Sequence, residues 1–391
     1  MKKSTLFWFG LVVTGLVALG LIVLSTAGGV NAARHYHGNQ YAYLQRQSIF
    51  CAVGIAAAFL AAIFDYRKFK QYSAMTIAIW VLVMGLLAAV FLFKPINGSQ
   101  RWIPLGAFNL QPSELAKLCA VICTAVYLDK LAWKVDTFWK GAIGACMVFV
   151  PMAGLVFIEP DFGSGSVVAC AGGLVMFLAG VKLTHIFGLG GLGMIGVAAY
   201  LVHNANRMAR IMAFVAVAAS GPKDATAEGG TGTEKHMDKA AERAEWQSRM
   251  SLVAIKNGGM KGVGLGESMQ KHRYLPEAHT DFILAIGAEE FGLAFSILVI
   301  ALFTAFFILA NIIAAKATDR LGRYLAAGMG FLIYFPAMFN IGVVSRALPT
   351  KGIALPFFSY GGTNMISAFI MVGVILSVGI RAYKDRRKVV I

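Results

Sequence analysis

Apolar positions along this chain gather in ten long runs, near residues 5–26, 47–65, 73–93, 113–129, 141–158, 164–180, 184–203, 281–313, 324–344 and 363–380. Most approach the roughly 20 residues a helix needs to cross a hydrocarbon core about 30 Å thick. A chain crossing lipid must satisfy its backbone polar groups internally, which a helix does. The pattern therefore predicts an all-α polytopic membrane protein with ten transmembrane helices, as a single domain over residues 1–391. The eighth run, roughly 33 residues, exceeds one crossing and is expected to bend or to extend past the bilayer. The first run follows Lys2 and Lys3 as a signal peptide would. It is long and leads into further runs, so it reads as a retained signal-anchor helix.

Composition agrees: 58% of residues are hydrophobic, 14% are charged, and the mean hydropathy is +0.70. Soluble domains are nearer half apolar and a quarter charged. The net charge of +16 raises nucleic acid as a partner. No Cys/His zinc spacing and no basic segment interleaved with aromatics supports that, so no nucleic acid is expected. The positive-inside rule explains the charge better. With both termini cytoplasmic, Arg67, Lys68, Lys70, Lys130, Lys134, Lys316, Arg320, Arg323 and the closing RAYKDRRKVVI all lie inside. The short outer loops then keep only Arg34, Arg46, Lys94, Arg101, Arg346 and Lys351. All five cysteines fall in apolar runs, so no disulfide framework is implied. Cys119 and Cys123 share a helical face as packing residues.

This orientation puts the unusual polar loops, 97–114, 159–163, 207–280 and 347–362, on the outer side. The largest, 204–280, joins spans seven and eight and carries a Gly/Ala/Thr-rich insert at 221–245, expected to be mobile. Thr231 and Glu234 have capping-box spacing. Met237, Ala241, Ala244, Ser248, Leu252 and Ile255 form the stripe of a helix lying on the protein or the membrane surface, ended by Gly258 and Gly259. Further on, Glu277, His279, Thr280 and Asp281 precede an apolar helix start, where Asp281 reads as a first-turn acid favoured by the helix dipole. Glu289 and Glu290 fall inside the span, as cavity or structural partners.

Charges inside a membrane are expensive, by at least about 2.5–3.5 kcal/mol each. Glu114 and Lys117, three apart on one helical face, read either as a mutual pair or as the lining of a polar cavity. Arg101 and Trp102 suit a phosphate near the headgroups, and Ser113 can cap the fourth span. Glu159 and Asp161 form a tight acidic turn that either caps the next helix or holds a cation or a sugar hydroxyl. The Pro- and Gly-rich LPTKGIALPFFSYGG cannot be one helix. Its Lys351 either meets a phosphate or snorkels to the headgroups.

RWIPLGAFNLQPSELAK, EPDFGS, GVGLGESMQKHRYLPEAHTDFILAIGAEEFG and NIGVV…LPTKGIALPFFSYGG, in this order over nearly the whole chain, resemble the SEDS family of cell-wall polymerases. YLPEAHTDF and PTKG lean toward its division branch, FtsW, over its elongation branch, RodA. The resemblance implies a peptidoglycan glycosyltransferase that polymerises lipid II, an undecaprenyl-pyrophosphate-linked disaccharide peptide. It would act at the outer face of the cytoplasmic membrane, at the division septum. It implies a class B penicillin-binding protein transpeptidase as partner, beside other division proteins and membrane lipids. The family's essential aspartate corresponds to Asp281, as general base. Substrate contacts fall on Arg101, Trp102, Glu114, Lys117, Glu159, Asp161, Lys271, Arg273, Glu277, His279, Thr280 and Lys351. No metal site is expected in the protein, although Mg2+ or Mn2+ could assist the cations Arg101, Lys117, Lys271, Arg273 and Lys351 at the leaving group. The alternatives are a lipid II flippase and a non-catalytic scaffold for the penicillin-binding protein. The 221–245 insert, Ser345–Arg346–Ala347, Pro336, and Gly287 with Ala288 depart from the family's usual pattern.

Overall fold

The structure, a computed structural model, describes residues 3–95, 100–106, 108–203, 239–272, 275–350 and 352–389. Helices stand on all ten apolar runs: α1 (Lys3–Ala27), α3 (Ala42–Ile63), α5 (Ser73–Ala89), α6 (Pro112–Leu131), α7 (Gly144–Ile158), α8 (Phe162–Ala179), α9 (Leu183–His203), α11 (Ile283–Ala315), α12 (Arg320–Val344) and α13 (Gly362–Val389). Short α2 (Gly29–His35) and α4 (Arg67–Gln71) lie in connections, and α10 (Lys239–Gly258) precedes α11. Among the described residues eight helices are long and apolar enough to cross a membrane. Helix α6 falls outside that set because it carries Glu114, Lys117, Asp129 and Lys130, and the apolar part of α9 is the shorter Leu183–Ala198. The one sheet among the described residues is a small antiparallel hairpin, β1 (Ile103–Pro104) against β2 (Asn109–Leu110), with Ile103 opposite Leu110.

Helix α6 is the axis of the bundle. It packs on α5, α7, α8, α12 and α13, and nearly every side chain along it is buried. Its charges are tolerated because they are paired: Lys117 Nζ lies 2.6 Å from Glu114 Oε1, and Asp129 lies 2.7 Å from Lys70. Around it α3 packs along α13, while α1 and α12 flank α11.

Loops expected to share a side do so. At one end Arg67 contacts Asp385 at 2.5 Å and Asp319 at 3.7 Å, Tyr66 donates to Asp319 at 2.5 Å, and Arg381 meets Asp65 at 2.9 Å. Such part-exposed pairs contribute about 0–1 kcal/mol each, so their value is in aligning α3, α12 and α13. The polar loops meet at the opposite end. There Arg101 donates to the carbonyl of Pro160, Gln111 to Asp161, and the Tyr360 amide to the carbonyl of His279.

The helix expected before span eight is present as α10 and ends at Gly258, but its buried face runs through Ser248, Ser251, Ala254 and Gly258, so of the expected stripe Ser248 is buried while Leu252 and Ile255 are half-buried. Ser251 Oγ donates to the carbonyl of Val344 at 2.7 Å. The insert at 221–245 and the capping pair Thr231 and Glu234 fall mostly or wholly among 204–238, outside the described residues.

The expected bend in the eighth run is located at Gly292, with φ 78° and ψ −172°. The amide of Leu293 leaves the helix and donates to Gly259 O at 2.9 Å. The carbonyls of Glu289 and Glu290 instead accept from Val263 N and Gly264 N, each at 3.0 Å. The part of α11 beyond the break, roughly 23 residues, is about 34 Å long at 1.5 Å per residue and suffices alone for a crossing. Every residue from Ile283 to Glu290 is buried, so Glu289 and Glu290 lie within protein in the short part of α11 before the break.

That backbone conformation is open essentially to glycine alone. A Cβ at 292 would also lie 2.5 Å from Gly262 N and Met260 O. Gly292→Ala is expected to cost more than about 2 kcal/mol. In thermal unfolding of the purified chain this reads as a clear fall in midpoint.

Candidate active site

A cavity of about 320 Å³ opens among the polar loops. Its wall brings together Arg101 and Trp102 from just before β1, Glu114 and Lys117 from α6, Asp161 from the α7–α8 turn, and Glu277, Thr280 and Asp281 from before α11. Glu114 and Lys117 are thus both a mutual pair and cavity lining, and Ser367 Oγ donates to Glu114 Oε2 at 3.1 Å.

Asp281 precedes α11 and does not cap it. The helix starts at Ile283 after Phe282, with no side-chain cap bond. The residue is held by its main chain. Asn340 Nδ2, on α12, donates to Asp281 O at 2.7 Å and to Ile353 O at 2.8 Å, sewing two loops together. Ser359 Oγ donates to Thr280 O at 2.6 Å, and Thr280 Oγ1 donates to Glu277 Oε2 at 2.9 Å. A Cβ at Gly352 would lie 2.6 Å from Asp281 Oδ2, so only glycine lets that loop approach the carboxylate so closely. Burial pushes the Asp281 carboxyl up to about 7, with Glu277 and Asp161 adding to the rise and Arg101 opposing it.

Asp161 caps α8, accepting from Ser164 N at 3.1 Å, and still lines the cavity, where Gln111 Nε2 donates to its other oxygen at 3.2 Å. Glu159 is fully buried, both its oxygens lack hydrogen-bond partners among the described residues, and it does not line the cavity. Burial first, then Asp161, raises it to about 8, partly offset by Arg101. Ser113 does not cap α6 as its place in the sequence suggests. The capping position falls on Gln111 instead, and the Ser113 hydroxyl is buried without a partner.

Two of the expected substrate contacts are engaged elsewhere. Lys271 is buried, its Nζ bonded to Gly266 O and 3.1 Å from Glu290 Oε1, so it does not reach the cavity. His279 stacks on Tyr43 at 4.8 Å with an interplanar angle of 10°, and contacts Asn31 Nδ2 at 3.3 Å. Arg273 and Lys351 lie outside the described residues. Glu289 and Glu290 are structural partners: Glu289 accepts from Asn257, Ser268 and the amide of Gln270, and Glu290 from Lys271 and Thr26. Among the described residues no group of three or more His, Cys, Asp or Glu could hold a metal. Sequence reasoning missed Gln111, Asn364, Ser367 and Asn340. Ser367 lies five residues beyond Gly362, and single polar residues inside apolar runs were the available signal.

The sequence matches the FtsW/RodA/SpoVE family, described as "Cell cycle protein", over residues 5–384. The chain belongs to this family. It is 34% identical to the probable peptidoglycan glycosyltransferase FtsW of Trichlorobacter lovleyi, over 94% of this chain and 91% of that one. To the probable peptidoglycan glycosyltransferase FtsW of Coxiella burnetii it is 33% identical, over 96% and 98%. Its fold is similar to a chain from "Structural coordination of polymerization and crosslinking by a peptidoglycan synthase complex", with a TM-score of 0.74 at 22% identity over 98% of this chain and 99% of that one. It also resembles the rod shape determining protein RodA of Thermus thermophilus, with a TM-score of 0.66 at 22% identity over 98% and 97%.

Two predictions concern the buried charges. Glu159 binds a proton in the folded chain up to about pH 8, well above the ordinary 4.5. Folded protein therefore holds more protons than unfolded across that window, and stability falls as pH rises through it. Glu159→Gln is expected to reduce this slope in melting curves taken from pH 5 to 8. Lys271→Met strands the Glu290 carboxylate and is expected to cost about 3–5 kcal/mol. Adding Glu290→Met should recover much of that loss in the same thermal assay.

Proposed function

We propose that this chain polymerises lipid II into glycan strands on the outer side of the cytoplasmic membrane during division, with Asp281 as general base. The observation that carries the reading is Asp281 itself, a carboxylate at the wall of the polar cavity whose affinity for protons sits near neutrality. A base works best with a pKa near the operating pH. Asp281 takes the proton from the acceptor sugar hydroxyl, and that oxygen attacks the anomeric carbon of the donor. The bond to undecaprenyl pyrophosphate breaks, the pyrophosphate leaves as the anion, and the proton stays on Asp281.

Arg101 and Lys117 face the same cavity and supply positive charge to the departing phosphate. The carboxylates of Asp161 and Glu277 suit sugar hydroxyls. At about 320 Å³ the cavity is at the small end for ligand sites, sized for the reacting sugars with the lipid outside. Mg2+ typically needs one or two carboxylates beside substrate phosphates. Asp161 and Glu277 are the residues that would hold Mg2+ or Mn2+ against a bound pyrophosphate. Cations concentrated at the end away from the cavity support the outward orientation. The names of the FtsW relatives support the division role, and a class B penicillin-binding protein is the proposed transpeptidase partner.

Purified full-length chain, with and without that partner, is incubated with labelled lipid II. Glycan ladders are expected. Translocation in sealed vesicles without ladders would indicate a flippase, and neither result a scaffold. Asp281→Asn should fold normally and lose about 10²–10⁴-fold of the polymerisation rate. In the native enzyme kcat/KM should rise with pH and level off above about 7, where Asp281 is ionised. A profile flat from pH 5 to 8 would sink the assignment of Asp281 as the base.

A further inference from the structure

The loop between α10 and residue 271 is built inside out. Three of its polar side chains point inward, Ser268, Gln270 and Lys271 being 1%, 7% and 7% exposed; Ser268 Oγ and the Gln270 amide meet Glu289 and Lys271 Nζ meets Glu290, while Lys261 and Glu267 are exposed. Its large apolar side chains point outward: Met260 is 68% exposed, Val263 44%, Leu265 58% and Met269 65%. Single exposed apolar residues are ordinary, but four within one short loop over a polar interior are not. The loop must meet an apolar surrounding.

Its height in the bundle says which. The amide of Leu293 bonds Gly259 O at 2.9 Å, so Met260 sits level with Leu293. Leu293 opens the bilayer-length part of α11, and with Ile297, Leu298 and Ile300 it continues an exposed apolar face down the span. The loop thus extends the lipid-facing surface of α11 at the level where hydrocarbon gives way to headgroups. Exposed Lys256 precedes it and exposed Lys261 lies near its start, both suited to lipid phosphates, with the exposed Glu267 carboxylate reaching to the headgroup water.

We propose that residues 260–269 dock into the membrane leaflet on the cavity side, with Met260, Val263, Leu265 and Met269 at the acyl boundary. The loop is then a lipid-anchored brace. Leaflet on one face and the Glu289 and Glu290 carboxylates on the other hold the short start of α11, which begins two residues after Asp281. The inference does not depend on what the cavity polymerises.

The test uses the full chain alone in phosphatidylcholine/phosphatidylglycerol nanodiscs, with an environment-sensitive fluorescent amino acid placed singly at Leu265 or Met269. Ile297 serves as the in-membrane reference. Both probes are exposed positions and leave the core intact. Each should lose most of its fluorescence to lipids brominated on the acyl chains, as Ile297 does, and be protected from aqueous iodide. Quenching by iodide with none by bromolipid places the loop in water and overturns the proposal. Protection from both quenchers means that protein covers it, a second copy of the chain, and overturns it equally. In a second variant, Val263→Glu with Leu265→Glu, the Met269 probe should shift from bromolipid to iodide quenching. No shift counts against the anchoring role of those side chains.

Discussion

The structure depends on an interruption in its longest helix. At Gly292 two carbonyls, those of Glu289 and Glu290, lose their helical donors and take amides from the loop at 263–264. Their side chains, buried and acidic, collect Asn257, Ser268, Gln270, Lys271 and Thr26. Main chain and side chain thus tie the same loop to the same turn. An unpaired group at any of these points would be costly away from water, which makes the arrangement close to all-or-none.

The start of α11 is then a short, buried platform, with Asp281 two residues before it. From the other side Asn340 and Ser359 fix the loops that meet this platform through main-chain carbonyls. The Asp281 carboxylate itself receives none of these bonds, so it is positioned without being neutralised. Burial and neighbouring acids raise its proton affinity, while Arg101 moderates the rise. Glu159, two residues from Asp161, shows the contrast: sealed away from the cavity with no hydrogen-bond partner among the described residues, it is pushed toward the neutral form by burial. Separate environments give neighbouring carboxyls separate duties.

A similar economy holds along α6. A helix with charges along its length is a poor candidate for lipid exposure, yet it occupies the centre of the bundle, where Lys70 and the Glu114–Lys117 pair compensate it. Its upper charges serve the cavity and its lower ones fasten the opposite end. The more apolar α3 and α5, with Ile49, Phe59, Ile77 and Leu82 well exposed, form the periphery that lipid can cover.

By itself the sequence determined the fold class and where the ten long apolar helices lie, because the length of an apolar run and its flanking charges answer directly to the thickness and polarity of a bilayer. It also singled out Arg101, Trp102, Glu114, Lys117, Asp161, Glu277, Thr280 and Asp281, since polar residues beside long apolar runs are few. The structure alone decided which of the flagged groups share a cavity. Lys271 and Glu290 neutralise one another 19 positions apart, and His279 is absorbed in a stack with Tyr43. Such pairings depend on how the loops close over the bundle, and no local pattern encodes them. The long run from Lys271 to Glu290 looked like one polar entrance to a helix. It is a catalytic candidate and then a structural anchor, separated only by which way each carboxylate faces.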